Sequence, residues 1–139
     1  MAKITNVRGE AYRWPRHKPI TNGLYTYTHS GINAVFIETD EGVTGVGLGS
    51  GIQEAPKVGL AILDHLKQVL IGRDPLDIER HWHEMWRPKL VGRRGITTRV
   101  ISGIDIALWD LKAKFAGMPL YKLLGGFSDS VDTYIAGGY

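Results

Sequence analysis

With 139 residues, the chain fits one ordinary domain, and it is too short for a complete (β/α)8 barrel, which takes about 250 residues. Its composition, 43% hydrophobic and 22% charged, excludes a disordered chain, and no segment approaches the roughly 20 apolar residues of a membrane-spanning helix. The absence of cysteine excludes disulfides and thiolate chemistry and leads us to expect a cytoplasmic protein, while a formal net charge of +3 does not distinguish an anionic small molecule from an acidic partner.

The first 28 residues contain two stretches of β-forming residues separated by a loop. Residues 4–14 alternate in polarity and predict a strand, which we expect to end there because Pro15 and Pro19 cannot donate to a ladder. The polar and basic residues 16–23 then predict a loop, and β-forming residues return at 25–28.

A hairpin is predicted next, from strands at residues 32–38 and 43–48. The tight turn between them places Gly42 at positive φ. The second strand runs into a glycine-rich stretch, residues 45–51, whose position before a helix invites comparison with a nucleotide-binding loop. The spacing does not match G-x-G-x-x-G and no P-loop lysine follows, so we interpret the stretch as a flexible or close-packed loop.

From residue 54 onwards the hydrophobic period changes from two to about 3.6, which predicts helices. In chain order the predictions are a helix at about 54–71, a shorter one around 78–86 that ends before Pro88, a strongly amphipathic one at 97–115, and a helical turn at 119–124. Residues 131–136 predict a new strand. Strands followed by helices indicate an α+β domain, a small antiparallel three-stranded sheet followed by a helical bundle.

Three short motifs receive a structural interpretation. His81 and His83 lie two apart on a helix and point about 200° apart, so they cannot bind one metal ion together. Lys112 and Lys114 diverge for the same reason and are not predicted to be catalytic. Asp110 and Lys114 predict an exposed ion pair at i, i+4 spacing.

Two sets of residues are candidates for binding. A basic cluster, Arg87, Lys89, Arg93, Arg94 and Arg99, is better explained as a solvated or intersubunit face than as a nucleic-acid site, because few aromatic residues are interleaved with it. The predicted loop with Arg16, His17, Lys18, Tyr25 and Tyr27 combines cations and hydroxyls that suit a carboxylate or a polyol. An exposed hairpin connection is the alternative interpretation of that loop.

Three linked segments resemble a known family. They are Ser-Gly-Ile-Asp-Ile-Ala-Leu-Trp-Asp-Leu-Lys-Ala-Lys at residues 102–114, Gly-Met-Pro-Leu-Tyr-Lys-Leu-Leu-Gly at 117–125, and the hairpin at 35–49 with its Thr-Asp-Glu-Gly turn. Together they resemble the N-terminal capping domain of mandelate racemase and muconate lactonizing enzymes, in the enolase superfamily.

The resemblance implies a two-domain enzyme whose capping domain closes over the mouth of a TIM-type barrel. Residues 1–125 would be the capping domain, and residues 126–139 a linker and the first strand of a truncated barrel. In this family Mg²⁺, held by barrel carboxylates, stabilises the enediolate formed when the proton α to a carboxylate is removed. The catalytic and metal-binding residues would then lie in the missing barrel, and this chain alone would be inactive.

The resemblance also assigns the candidate site. Residues 16–27 and 47–53 match the two capping loops that contact substrate, and within them we expect Arg16, His17, Tyr25, Leu48 and Ser50 to bind it. The implied function is that of a sugar-acid dehydratase or a racemase, with lactonizing and dipeptide-epimerising activities left open. The expected partners are a small carboxylate, the protein's own barrel and further copies of itself, with neither nucleic acid nor membrane. The alternative is a stand-alone binding module that uses the basic cluster to engage an acidic partner.

Overall fold

The computed structural model describes residues 1–50, 55–87 and 95–135, except for the side chain of residue 50. These residues form an α+β domain, as predicted, in which helices cover one face of an antiparallel sheet of order β1-β2-β3. The strands are β1 (Ile4–Asn22), β2 (Tyr25–Thr39) and β3 (Thr44–Ser50). The helices are α1 (Pro56–Leu66), which continues into a 3₁₀ turn (Lys67–Val69), then α2 (Ile78–Trp86), α3 (Ile96–Phe115) and α4 (Leu120–Leu123).

Strand β1 is longer than the sequence predicts. The prediction of a loop at residues 16–23 is wrong, because β1 continues to Asn22. The β1–β2 ladder reaches the pair Pro15–His29 and resumes at Ile20–Tyr27, so four residues of β1, 16–19, lie opposite the single residue Thr28 of β2. Pro15 precedes this bulge and Pro19 lies within it, and neither ends the strand. An edge strand tolerates them because its outward N–H groups need no ladder partner.

The β2–β3 hairpin forms as predicted, with Gly42 at a φ of 75°. Among the described residues, β3 pairs with β2 from Glu38–Thr44 to Ile32–Ser50. The ladder between β1 and β2 continues beyond this last described pair.

The glycine-rich stretch is close-packed, but up to residue 50 it is a strand and not a loop. A Cβ added at Gly47 would lie 1.9 Å from the Gly103 carbonyl oxygen, and one at Gly45 would lie 2.2 Å from that of Ala107. The backbone of β3 therefore rests directly on the backbone of α3, which only residues without a side chain allow. Residues 51–54 lie outside the described part of the chain.

The core lies between the sheet and the helices. Its members are the buried apolar residues of β1 and β2 and the inward stripes of the three long helices. The largest are Ile4, Val7, Ile37, Leu66, Leu70, Met85, Ile101, Ile104, Leu108 and Leu111. The predicted stripe of α3 thus forms the centre of the domain.

Helix α3 ends where the sequence predicts. Gly117 has a φ of 63°, and the N–H of Met118 donates to the Ala113 carbonyl at 3.1 Å, which is a Schellman motif.

The strand predicted at residues 131–136 is not formed. Residues 131–135 have no regular secondary structure and are exposed, while residue 136 lies outside the described part of the chain. A strand needs a hydrogen-bonded neighbour, and none of the described strands lies beside these residues.

Candidate functional site

The described parts of the two predicted substrate-contacting segments lie toward the same end of the sheet. The register places Tyr12 of β1 opposite Ile32 of β2, and Ile32 opposite Ser50 of β3. The β1 bulge and the hairpin tip lie beyond this row, and β3 ends at the row itself. The fold therefore places residues 16–27 and 48–50 toward the same end of the sheet, although they are far apart in sequence.

Arg16 is held by a hydrogen bond to the neighbouring strand. Its Nε donates to the backbone carbonyl of His29 at 3.2 Å, and its side chain is half-buried. His17 follows it in the bulge and is exposed. Tyr25, beside the tip, is 63% exposed, with its ring centroid 6.4 Å from that of Tyr27. A bulge turns side chains out of the regular alternation, so Arg16 and His17 need not follow the faces of the sheet.

Leu48 and Ser50 mark the end of β3. Since Gly47 faces α3, alternation along the strand turns Leu48 to the opposite face, where it is 54% exposed. Ser50 forms the last pair of the β2–β3 ladder, and its side chain lies outside the described part of the chain. Leu48 thus offers an apolar contact at this end of the sheet.

A polar network on β1 was not predicted from the sequence. Arg8 Nε donates to Glu38 at 2.9 Å, Arg8 also pairs with Glu10, and the Tyr12 hydroxyl donates to Glu10. The hydrogen bond from Arg8 lowers the pKa of the Glu38 carboxyl, and the hydrogen bond to Glu10 raises the pKa of Tyr12. Charged and hydroxylated residues at positions 8, 10 and 12, two apart on a predicted strand, were the signal that could have revealed the network.

The ribbon at this end has an unbalanced charge. Between Glu10 and Glu38 the sequence contains no aspartate or glutamate, whereas it contains Arg13, Arg16 and Lys18. An uncompensated set of cations favours an anionic ligand.

Among the described residues, no group of three or more histidine, cysteine, aspartate or glutamate side chains could hold a metal ion. His81 is buried, with Nε2 2.7 Å from the Asp74 carbonyl oxygen, whereas His83 is exposed and its ring is nearly perpendicular to that of Trp82. No helix in the described ranges is long and apolar enough to span a membrane.

Of the remaining motifs, the predicted ion pair between Asp110 and Lys114 is confirmed at 2.7 Å. In the basic cluster, Arg87 and Arg99 are exposed. The other three cations, at 89, 93 and 94, lie outside the described residues, so the cluster stays a prediction.

Known proteins are similar to this chain in sequence. The family described as mandelate racemase / muconate lactonizing enzyme, N-terminal domain, matches residues 4–125. An L-talarate/galactarate dehydratase of Salmonella typhimurium is 39% identical over 125 residues, which are 87% of this chain and 31% of that protein. A D-mannonate dehydratase of Novosphingobium aromaticivorans is 44% identical over 99 residues, which are 70% of this chain and 25% of that protein.

The fold is similar to solved structures as well. The L-talarate dehydratase of Polaromonas sp. JS666, crystallised with Mg and L-glucarate, matches with a TM-score of 0.85 and 36% identity, over 94% of this chain and 37% of that chain. In the sequence comparisons, this chain spans 25% of the length of the D-mannonate dehydratase and 31% of the length of the L-talarate/galactarate dehydratase. Because the family match covers most of the sequence and the fold agrees, the chain belongs to the mandelate racemase/muconate lactonizing enzyme family of the enolase superfamily, as an N-terminal capping domain.

Proposed function

We propose that this chain is the capping domain of a Mg²⁺-dependent enzyme that removes the proton α to the carboxylate of a sugar acid, as a dehydratase or a racemase. The proposal rests on the position of residues 16–27 and 48–50 toward the same end of the sheet, and on the three cations and the absence of acidic residues between Glu10 and Glu38. Cations and hydroxyls there suit an anionic, hydroxylated ligand. Relatives named for the dehydration of sugar acids support the same class of substrate.

Each predicted residue has a role in this proposal. Arg16 binds a carboxylate of the substrate, because the hydrogen bond from Nε to His29 orients its planar guanidinium. His17 and Tyr25, both exposed, hydrogen-bond to hydroxyls. Leu48 excludes water from the covered site, and Ser50 adds a hydroxyl beside it.

The rest of the enzyme lies outside the capping domain. We assign residues 1–125 to the cap and 126–139 to a linker and the first barrel strand. The exposed apolar side chains of Phe127, Val131, Tyr134 and Ile135 support this division, because such residues are usually covered by a partner. The barrel would supply the ligands of Mg²⁺, which stabilises the negative charge of the enediolate. The cap alone would be inactive, and the complete protein would assemble as a homo-oligomer.

Turnover by the protein that carries these residues together with its barrel tests the proposal. It would be incubated with Mg²⁺ and a panel of aldonic and aldaric acids, and we expect a 2-keto-3-deoxy acid or an epimer from at least one of them. Arg16→Gln should raise KM about tenfold or more, as the loss of a charge-assisted hydrogen bond does. Arg13→Gln removes an equal charge from the same ribbon, but outside residues 16–27, so it is the matched control and should raise KM less than Arg16→Gln does.

Two results would count against the proposal. Equal effects of the Arg16 and Arg13 substitutions would remove Arg16 from the site. Failure of the wild-type protein to turn over any acid on the panel would favour the alternative, a stand-alone binding module that uses the basic cluster.

A further inference from the structure

One stripe of α3 follows β3 along its length. Gly103, Ala107, Asp110 and Lys114 are spaced by four, three and four residues, so they lie on one face of the helix. Gly103 and Ala107 touch the β3 backbone, as the contacts of Gly45 and Gly47 show. The two polar members of the stripe, Asp110 and Lys114, lie further along the helix, toward the start of β3.

Asp110 and Lys114 bond to the edge of β3 that faces away from β2. The Val46 N–H donates to Asp110 Oδ2 at 2.8 Å, and Lys114 Nζ donates to the Thr44 carbonyl oxygen at 2.7 Å. The same ammonium lies 2.7 Å from Asp110 Oδ2. In the described sheet β3 is the last strand, and these two backbone groups point away from β2. The two side chains, which we call the edge clip, therefore occupy the place of a neighbouring strand.

We infer that the edge clip positions the substrate-facing end of β3. Leu48 lies two residues beyond Val46, and Ser50 lies two residues further along the same strand. On its other edge, β3 is held by β2 up to the pair Ile32–Ser50. The edge clip and β2 therefore hold β3 on both edges at residues 44–46. This fixes the lateral position and twist with which the strand continues to Leu48. Asp110 and Lys114 are positioning residues, and their importance for binding rests on the proposed function.

Nuclear magnetic resonance of the chain tests the positioning directly. In Asp110→Ala we expect the Val46 amide to exchange with solvent about tenfold faster or more, because a charge-assisted hydrogen bond is lost. We also expect the Leu48 methyl and Ser50 amide resonances to shift. Asp110→Asn keeps a side-chain oxygen that accepts from Val46, so it should restore most of both changes.

Matched controls separate the clip from a general loss of charge. Lys114→Met should shift the same resonances, whereas Lys112→Met removes an equal charge two residues away and should not. The Lys112 ammonium instead lies 4.7 Å from the centre of the Trp109 ring. If Asp110→Ala does not fold, the comparison of Lys114→Met with Lys112→Met decides whether the edge clip positions β3.

Unchanged Leu48 and Ser50 resonances in a folded Asp110→Ala or Lys114→Met variant would overturn the inference. So would the absence of rescue by Asp110→Asn. In the protein with its barrel, we expect Lys114→Met to raise KM for the sugar acid about tenfold with kcat nearly unchanged. If the wild-type protein turns over no acid, the proposed function fails, and the resonance shifts still decide whether the clip positions β3.

Discussion

Gly47→Ala tests whether the contact between β3 and α3 determines the fold. The added Cβ would lie 1.9 Å from the Gly103 carbonyl oxygen and 2.7 Å from the Ala107 nitrogen, whereas real Cβ contacts essentially never fall below 3.0 Å. The strand and the helix would have to separate by about 1.1 Å, the difference between 3.0 and 1.9 Å. Both clashing groups are backbone, so no side-chain rotation relieves them. We expect a loss of at least about 3 kcal/mol, at or above the upper end for overpacked sites.

Gly49→Ala is the matched control, on the same face of the same strand. Its Cβ would lie 3.3 Å from the Arg99 carbonyl oxygen, a contact that a shift of a few tenths of an ångström relieves. The cost should be about 1 kcal/mol or less, because alanine also restricts the unfolded chain. Urea unfolding followed by tryptophan fluorescence measures both variants. A difference of about 2 kcal/mol separates the two midpoints by about 1 M. Equal midpoints for the two variants would refute this account of the contact.

Three further substitutions probe single groups. Glu38→Gln should destabilise the domain at neutral pH but not in acid. The hydrogen bond from Arg8 lowers the pKa of the Glu38 carboxyl, so the stability that the carboxylate contributes is lost as pH falls through that pKa. Thermal melts at several pH values measure this. Asp105→Asn should stabilise the domain at pH 7, because burial raises the pKa of the Asp105 carboxyl and the folded state loses stability as pH rises through it. The gain in stability should vanish in acid. A gain that does not change with pH would contradict burial of the carboxyl as its cause. His81→Leu leaves the Asp74 carbonyl without its 2.7 Å partner and should cost about 1 to 3 kcal/mol in urea unfolding, with His81→Gln less harmful.

Periodicity predicted the elements well wherever contacts are local. The stripe of α3, the turn at Gly42 and the helix end at Gly117 each depend on residues close in sequence. The long β1–β2 ribbon was missed because a proline disrupts a ladder only where its missing N–H would have pointed toward the partner strand. The sequence does not show which edge of β1 is paired. The strand predicted at residues 131–136 failed for a related reason, since its partner is not among the described residues.

The candidate site was predicted in part from composition and in part from the family resemblance. Composition showed that residues 16–27 are basic and hydroxylated, but nothing in the sequence showed that they lie at the same end of the sheet as the end of β3. That placement depends on the register from Tyr12 to Ser50 and on the bulge at residues 16–19. The role of the glycines in β3 was likewise hidden, because their partners, Gly103 and Ala107, lie more than 50 residues away along the chain.

Exchange of the α-proton in D2O is the most direct test of the proposed chemistry, because dehydration and racemisation share that step. The protein that carries these residues together with its barrel would be mixed with Mg²⁺ and each sugar acid, and the α-proton resonance followed by nuclear magnetic resonance. We predict that the resonance of at least one acid disappears, that the loss requires Mg²⁺, and that Arg16→Gln slows it at low substrate concentration. Retention of every α-proton by a folded protein would contradict the assignment of this cap to a proton-abstracting enzyme.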